Sequence, residues 1–298
     1  MNPVLVAFQE ELRKQYPVFA PIIDRGYAEH GDAWADDTAR NIETMFGPRG
    51  DPRWDEAIRG YVHFSLDVLR SHKFFETHGR YEASSYEDLK RDYWENPEFM
   101  LERYLPGIFV SHFIWPQHYR LIRFFREEAL PAIALRHPSQ FCEVGVGSGL
   151  YSSETLQFFP EIKGIGYDIS PHSLAFGKRV VDSFGIGERY VVEQRDVVLD
   201  TARPADFLIC QEVLEHIEEP RGFLRALHKM TASGGVAYIS AAVTSGQSDH
   251  LYLFREPHEV REMLEDAGFS VLAERTVTAE AANVRETAPR VSAFLLES

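Results

Sequence analysis

The chain has 298 residues and a formal net charge of −15, with 44% hydrophobic residues, 26% charged residues and two cysteines. So acidic a balance gives no general attraction to phosphate backbones or anionic membranes, which counts against nucleic acid and membrane as main partners. Two cysteines make no disulfide framework, and no apolar run reaches the length of a membrane span. The opening residues Met1 to Ala7 lack the basic leader and apolar region of a signal peptide, so a cytoplasmic protein is expected.

Residues 1–113 read as a helical region. Asn2-Pro3, Asp51-Pro52 and Asn96-Pro97 each put an N-cap residue before a proline at the first helical position. Ser84 and Glu87 have capping-box spacing. From Trp54 to Phe75 apolar residues recur at mixed three- and four-residue steps (Ile58, Tyr61, Val62, Leu66, Leu69), as in a helix packed on one side. Gly47-Pro48-Arg49-Gly50 and His78-Gly79-Arg80 are the expected turns. Aromatics then crowd between Tyr93 and Phe125. Most suit a helix–helix core. For Tyr104, His112, Trp115 and His118 the alternative is that they line a ligand pocket.

The second part of the chain, 114–298, opens with a linking helix near 119–130 and then alternates strand and helix, the signature of parallel β-α-β units. Strands are expected at Phe141–Val144, Lys163–Asp168, Arg189–Gln194, Asp206–Cys210, Val236–Ser240, Ser270–Thr276 and Arg290–Leu296. Helices are expected near 151–159, 221–230 and 256–265, the second ending at Gly234-Gly235. Cys142 and Cys210 fall in the first and fourth strands as small apolar core thiols.

The first strand breaks into three alternate glycines, Gly145, Gly147 and Gly149, followed by a helix. Strand, glycine turn, helix opens a nucleotide-binding sheet, whose ligand lies at the carboxyl ends of the strands where the winding reverses. Asp168, Asp196 and Gln211-Glu212 end later strands on that same edge. Asp168 follows the glycines by roughly 20 residues, the separation at which a carboxylate meets the hydroxyls of a ribose. A dinucleotide fingerprint wants a small residue where this chain has Leu150, which disfavours an NAD-dependent oxidoreductase.

Glu143-x-Gly145-x-Gly147-x-Gly149 resembles the first motif of the class I, Rossmann-like S-adenosylmethionine-dependent methyltransferases. The likeness runs from about 141 to 296. It is closest to the small-molecule branch that includes ubiquinone-biosynthesis enzymes, through Gln211-Glu212-Val213-Leu214-Glu215-His216-Ile217-Glu218-Glu219-Pro220 and Ala267-Gly268-Phe269. It implies an α/β fold, a doubly wound seven-stranded mostly parallel sheet with a last antiparallel strand, under an N-terminal helical cap (1–113). The implied activity is methyl transfer from S-adenosyl-L-methionine to a small-molecule acceptor, with S-adenosyl-L-homocysteine as product. A non-catalytic cofactor-binding protein of the same fold is the other class.

The resemblance also implies roles. Glu143 would hold the turn or face the cofactor's ammonium group, and Gly145, Gly147 and Gly149 would admit its methionine and ribose portions. Asp168 would bind the ribose hydroxyls and Ile169 would pack on adenine. Asp196 would accept from the adenine amino group and Val197 would donate its backbone N–H. Gln211 and Glu212 would sit beside the sulfonium. Glu212, His216 and His250 are the candidate bases. His216, His250 and His258 lack H-x₃-H spacing, so no metal is expected. The helical region resembles the caps and dimerisation elements of natural-product methyltransferases, so a homodimer through those helices is also expected.

Overall fold

Near-continuous apolar runs such as Phe141–Val144 cannot leave one face in water, and they form the centre of a sheet covered on both sides. The computed structural model describes residues 1–83, 85–279 and 287–298. Its seven strands are β1 (Gln140–Val144), β2 (Lys163–Asp168), β3 (Tyr190–Gln194), β4 (Ala205–Cys210), β5 (Thr231–Val243), β6 (Ser270–Thr278) and β7 (Arg290–Glu297). They lie in the order β3-β2-β1-β4-β5-β7-β6. The first five run parallel, whereas β7 is antiparallel to both β5 and β6. The winding reverses between β1 and β4, which opens a crevice at their carboxyl ends.

The helical region comprises α1 (Pro3–Gln15), α2 (Pro21–Phe46), α3 (Pro52–His78), α4 (Tyr86–Leu89) and α5 (Leu105–Ile114). Helices α6 (Pro116–Phe124) and α7 (Leu130–Ala134) lead into the sheet, and α8 (Leu150–Phe158), α9 (Pro171–Ser183), α10 (Pro220–Met230) and α11 (Pro257–Asp266) follow its strands. The expected caps form: Asn2 accepts from the Val4 N–H and Asp51 from the Arg53 N–H, both at 2.9 Å, and Asn96 accepts from the Phe99 N–H at 3.2 Å. Ser84 lies outside the described residues. Ser85, one place on, caps α4 through the Asp88 N–H at 3.2 Å.

Two expectations change. Leu66 and Leu69 continue the apolar spacing of α3 but are 51% and 60% exposed, because the buried face runs through Ala57, Tyr61, Phe64 and Ser65. Gly234-Gly235 does not cap α10, which ends at Met230; Gly234 (φ +72°) sits instead at the irregular start of β5, where the register with β4 shifts.

One continuous apolar cluster joins the helical region to the sheet. Phe125 lies 5.0 Å from Tyr151 of α8 and 4.7 Å from Tyr238 of β5. Beside it Arg126 bridges Asp37 of α2 and Glu154 of α8, each at 2.5 Å. The chain takes wide π-type turns over Lys90–Trp94 and Phe99–Tyr104. Such turns re-aim side chains, and these bring Trp94, Met100 and Tyr104 over the crevice. Among the described residues no helix is long and apolar enough to cross a membrane.

Candidate active site

A cavity of about 410 Å³ fills the crevice. Its floor is the turn after β1, and the three glycines there do different work. Gly145, Gly147 and Gly149 all have positive φ (+76°, +48° and +69°), which only glycine adopts without strain. A Cβ on Gly147 would meet nothing closer than the Gly145 carbonyl at 4.0 Å, so this residue faces open cavity. A Cβ on Gly145 would sit 2.4 Å from Val213 Cγ2. Gly149 does not line the cavity; a Cβ there would lie 2.5 Å from the Gly177 Cα, so its smallness lets α8 pack on α9.

The Gly147 N–H donates to the Asp168 carboxylate at 3.3 Å and the Ser170 N–H at 2.8 Å. These bonds fix Asp168 at the end of β2, and burial pushes its carboxyl up to about 6. Ile169 lines the cavity beside it, with its carbonyl held by Gln194 Nε2 at 2.8 Å. Glu143 lies under the turn, accepts the Ser152 hydroxyl, and is pushed up to about 8 by burial. Asp196 accepts from the Val198 N–H at 3.0 Å, and with buried Val197 it also lines the cavity.

After β4, Gln211 Oε1 accepts the Ser240 hydroxyl at 3.0 Å, and its buried Nε2 has no partner. Glu212 adopts φ +48°, a cost borne chiefly at functional sites. The Ser240 carbonyl holds its N–H at 3.1 Å, and burial, reinforced by Glu215, pushes its carboxyl up to about 8. His216 donates from Nδ1 to the Asp249 carbonyl at 2.8 Å. Burial disfavours its charge, but Asp249 and Glu215 outweigh that and raise its pKa. His250 Nδ1 donates to the Ser245 carbonyl at 2.8 Å, and burial keeps this ring neutral.

The helical region closes the cavity. Tyr104 and His112 line it, as expected. Gln247 Nε2 donates to the Tyr104 hydroxyl at 3.4 Å, and burial lowers His112 to about 4. Trp115 and His118 are not among the lining residues. The Trp115 indole donates to the Tyr61 hydroxyl at 3.1 Å and leans on Phe64 at 5.5 Å, while His118 pairs with the Ser111 hydroxyl at 3.3 Å. Both turn inward because the chain bends between α5 and α6 at Trp115-Pro116. Tyr86, Trp94, Met100 and Asp249 line the cavity without having been singled out. The aromatic density around Trp94 was a usable signal, whereas Tyr86 comes from a four-residue helix, Met100 from a π-type turn and Asp249 from a loop, none with a local pattern.

Eight acidic side chains line the cavity against one guanidinium, that of Arg195. Arg195 is itself engaged with Glu193 at 2.6 Å and Asp200 at 2.7 Å. The field therefore favours a cationic ligand and opposes a pyrophosphate.

Residues 115–274, more than half of the chain, match a family model described as a methyltransferase domain. The chain is 25% identical over 112 residues to the ubiquinone biosynthesis O-methyltransferase of Pseudomonas paraeruginosa, covering 38% of this chain and 47% of that protein. It is 30% identical over 114 residues to the enzyme of the same name from Azoarcus sp., covering 38% and 46%. The chain thus spans about half the length of the curated relatives it matches. Among solved structures, an O-methyltransferase family protein from Burkholderia thailandensis superposes with TM-score 0.55 at 11% identity, over 85% of this chain and 75% of that one. PigF with SAH superposes with TM-score 0.54 at 17% identity, over 86% and 77%. At these identities the two structures establish the shared fold, helical region included.

Proposed function

The chain belongs to the methyltransferase-domain family, and from that membership we propose that it transfers the methyl group of S-adenosyl-L-methionine to a small-molecule acceptor. The observation that carries this reading is the cavity's charge. A sulfonium and an ammonium group suit a site lined by eight acidic side chains, whose ionised forms a cation favours, and the Gly147 backbone and Asp168 suit the attached ribose.

In the proposed reaction an electron pair of the acceptor attacks the methyl carbon in line with the sulfur. The carbon–sulfur bond breaks, sulfur keeps its electron pair, and S-adenosyl-L-homocysteine leaves. The leaving group is already activated, so the residues contribute chiefly alignment and removal of the acceptor's proton. Glu143 would face the ammonium group, Asp196 and Val197 the adenine. The unpartnered Gln211 amide would lie beside the methionine portion. Tyr104 and His112 would wall the acceptor, with Glu212, His216 and His250 within reach as bases.

The acceptor in this reading is a dissolved metabolite met in the cytoplasm, and the acidic surface and cavity give nucleic acid no foothold. The exposed pair Leu66 and Leu69 on α3 is the patch that a homodimer through the helical region would cover; sedimentation tests that.

Asp168→Ala tests the cofactor reading. Losing hydrogen bonds to a charged group costs roughly 1.5–3 kcal/mol, so the Kd for S-adenosyl-L-homocysteine should rise about ten- to a hundredfold with the fold intact. An unchanged Kd in calorimetry removes Asp168 from the site. Turnover against a panel of phenols, amines and carbon acids separates an enzyme from a cofactor-binding protein without activity.

A further inference from the structure

At the acceptor end of the cavity the fold assembles a cluster that no local spacing announces. Glu215 and His216 follow β4, and His250 arrives 34 positions later from the loop after β5. One ligand atom from each of the three side chains lies within 4.8 Å of the others. The two rings are edge to face, with centroids 4.9 Å apart.

Three details suit this cluster to a cation. In each imidazole Nδ1 is bonded to a backbone carbonyl, Asp249 for His216 and Ser245 for His250, both at 2.8 Å. Each carbonyl accepts a hydrogen bond from the Nδ1–H, which in the neutral ring leaves the Nε2 lone pair available, the arrangement that orients histidine ligands. Glu215 is fully buried; one carboxylate oxygen accepts the Ala242 N–H at 3.1 Å and Oε2 has no partner. Asp249, also fully buried, likewise keeps Oδ1 unpartnered. Unsatisfied buried carboxylate oxygens are costly unless a cation answers them.

We propose that Glu215, His216 and His250 bind a divalent transition-metal ion, of the zinc or manganese class, that faces the acceptor. Two imidazoles and one carboxylate favour such an ion over magnesium or calcium, which prefer oxygen ligands throughout. Side-chain rotations bring the three ligand atoms to metal distances of about 2.0–2.2 Å. Three protein ligands leave a coordination position open to the cavity, the mark of a reactive rather than a structural site. If the methyl-transfer reading holds, that position takes an acceptor hydroxyl. Its proton passes to Glu212, its oxygen gains the methyl group, and oxygen becomes the methylated atom.

The test is equilibrium dialysis of chelator-stripped protein against Zn²⁺, with Mn²⁺ binding followed in parallel by electron paramagnetic resonance. The stripped wild type should take up about one equivalent of ion. His250→Gln and Glu215→Gln should each weaken binding roughly 10–100-fold, whereas His258→Ala, exposed on α11 and outside the cavity, should leave it unchanged. The wild-type stoichiometry needs no variant to fold, and melting curves verify that each variant does. No uptake by the wild type, or full uptake by His250→Gln, overturns the ion site. Calorimetry with S-adenosyl-L-homocysteine on the stripped protein tests the other reading separately. Cofactor binding without ion uptake sinks only the ion site, and ion uptake without cofactor binding supports the ion site while sinking the methyl-transfer reading.

Discussion

The hydroxyl of Ser170 donates to the carbonyl oxygen of Trp94 at 2.7 Å, joining the loop after β2 to a turn of the helical region 76 residues earlier. Ser170 also caps α9 by accepting from the Ser173 N–H at 3.4 Å. Trp94 in turn donates its indole N–H to the Asp249 carboxylate, 3.4 Å away in the cavity wall. One buried serine therefore ties the lid over the cavity to the strand end that carries Asp168.

Ser170→Ala should loosen this clasp. Losing an N-cap costs roughly 0.5–2 kcal/mol, and leaving the Trp94 carbonyl without its donor costs roughly 1–3 kcal/mol. The variant should melt lower and bind S-adenosyl-L-homocysteine more weakly, because the lid is freed from the site. A melting temperature equal to wild type would show that the clasp bears no load.

Glu143 should make cofactor binding depend on pH. Its carboxyl rises from an ordinary value of 4.5 to about 8 on burial, so the neutral form is the one the fold prefers. That preference favours folding fully below pH 4.5 and is lost as pH climbs through 8, so the free protein should melt lower at pH 9 than at pH 7 through this group. An ammonium-bearing ligand favours the carboxylate, so binding at pH 7 should release a proton. Affinity should then increase with pH between about 6 and 8, by at most tenfold per unit. Glu143→Gln should flatten both trends. Equal proton release by wild type and variant, measured by calorimetry in buffers of different ionisation enthalpy, would detach Glu143 from the ligand.

Gly147→Ala and Gly149→Ala should fail in different ways. Both place a Cβ at positive φ, a strain of roughly 1–2 kcal/mol. At Gly149 the new methyl also meets the Gly177 backbone at 2.5 Å, adding about 1–3 kcal/mol of overpacking. Gly149→Ala should therefore show the larger drop in melting temperature. At Gly147 the methyl enters open cavity, so the larger loss there should be in cofactor affinity. The reverse ranking would mean that the turn's two ends have exchanged roles.

The strands were legible because their apolar runs are short and sharply bounded, and β1 to β4 begin and end within a residue of expectation. That Glu143, Asp168 and Gln211 line one cavity was legible because they are tied to strand ends, and strand ends sit on one edge of a parallel sheet. Gly149 was misread only in direction, since spacing requires a glycine but does not say which neighbour comes close. The acceptor side was less legible. Tyr86 reaches the cavity from a four-residue helix, and the 90–104 turns depart from the 3.6-residue period that orders helical faces. Asp249 and His250 approach Glu215 across 34 and 35 positions of chain, a distance that local pattern does not encode.

Trp115 and Tyr104 make the last prediction, because the aromatic stretch gave both the same standing and the fold separates them. Trp115 packs between Phe64 at 5.5 Å and His118 at 4.8 Å, with its indole on the Tyr61 hydroxyl. It lies behind the cavity wall, so Trp115→Ala should cost about 3 kcal/mol of stability through the void it leaves. Cofactor affinity and turnover per folded molecule should stay near wild type. Trp115→Phe keeps most of the ring volume and should recover much of the lost stability. Tyr104 belongs to the wall itself, stacked on Phe99 at 5.7 Å with its hydroxyl held by Gln247. Tyr104→Leu keeps apolar bulk but removes the flat face and the hydroxyl. Turnover should fall while the Kd for S-adenosyl-L-homocysteine changes little, since the contacts proposed for the cofactor are at Gly147 and Asp168. Melting temperature, Kd and kcat measured on the same preparations decide the matter. Normal turnover in Tyr104→Leu together with impaired turnover in fully folded Trp115→Ala would put the acceptor on the other side of the α5–α6 bend.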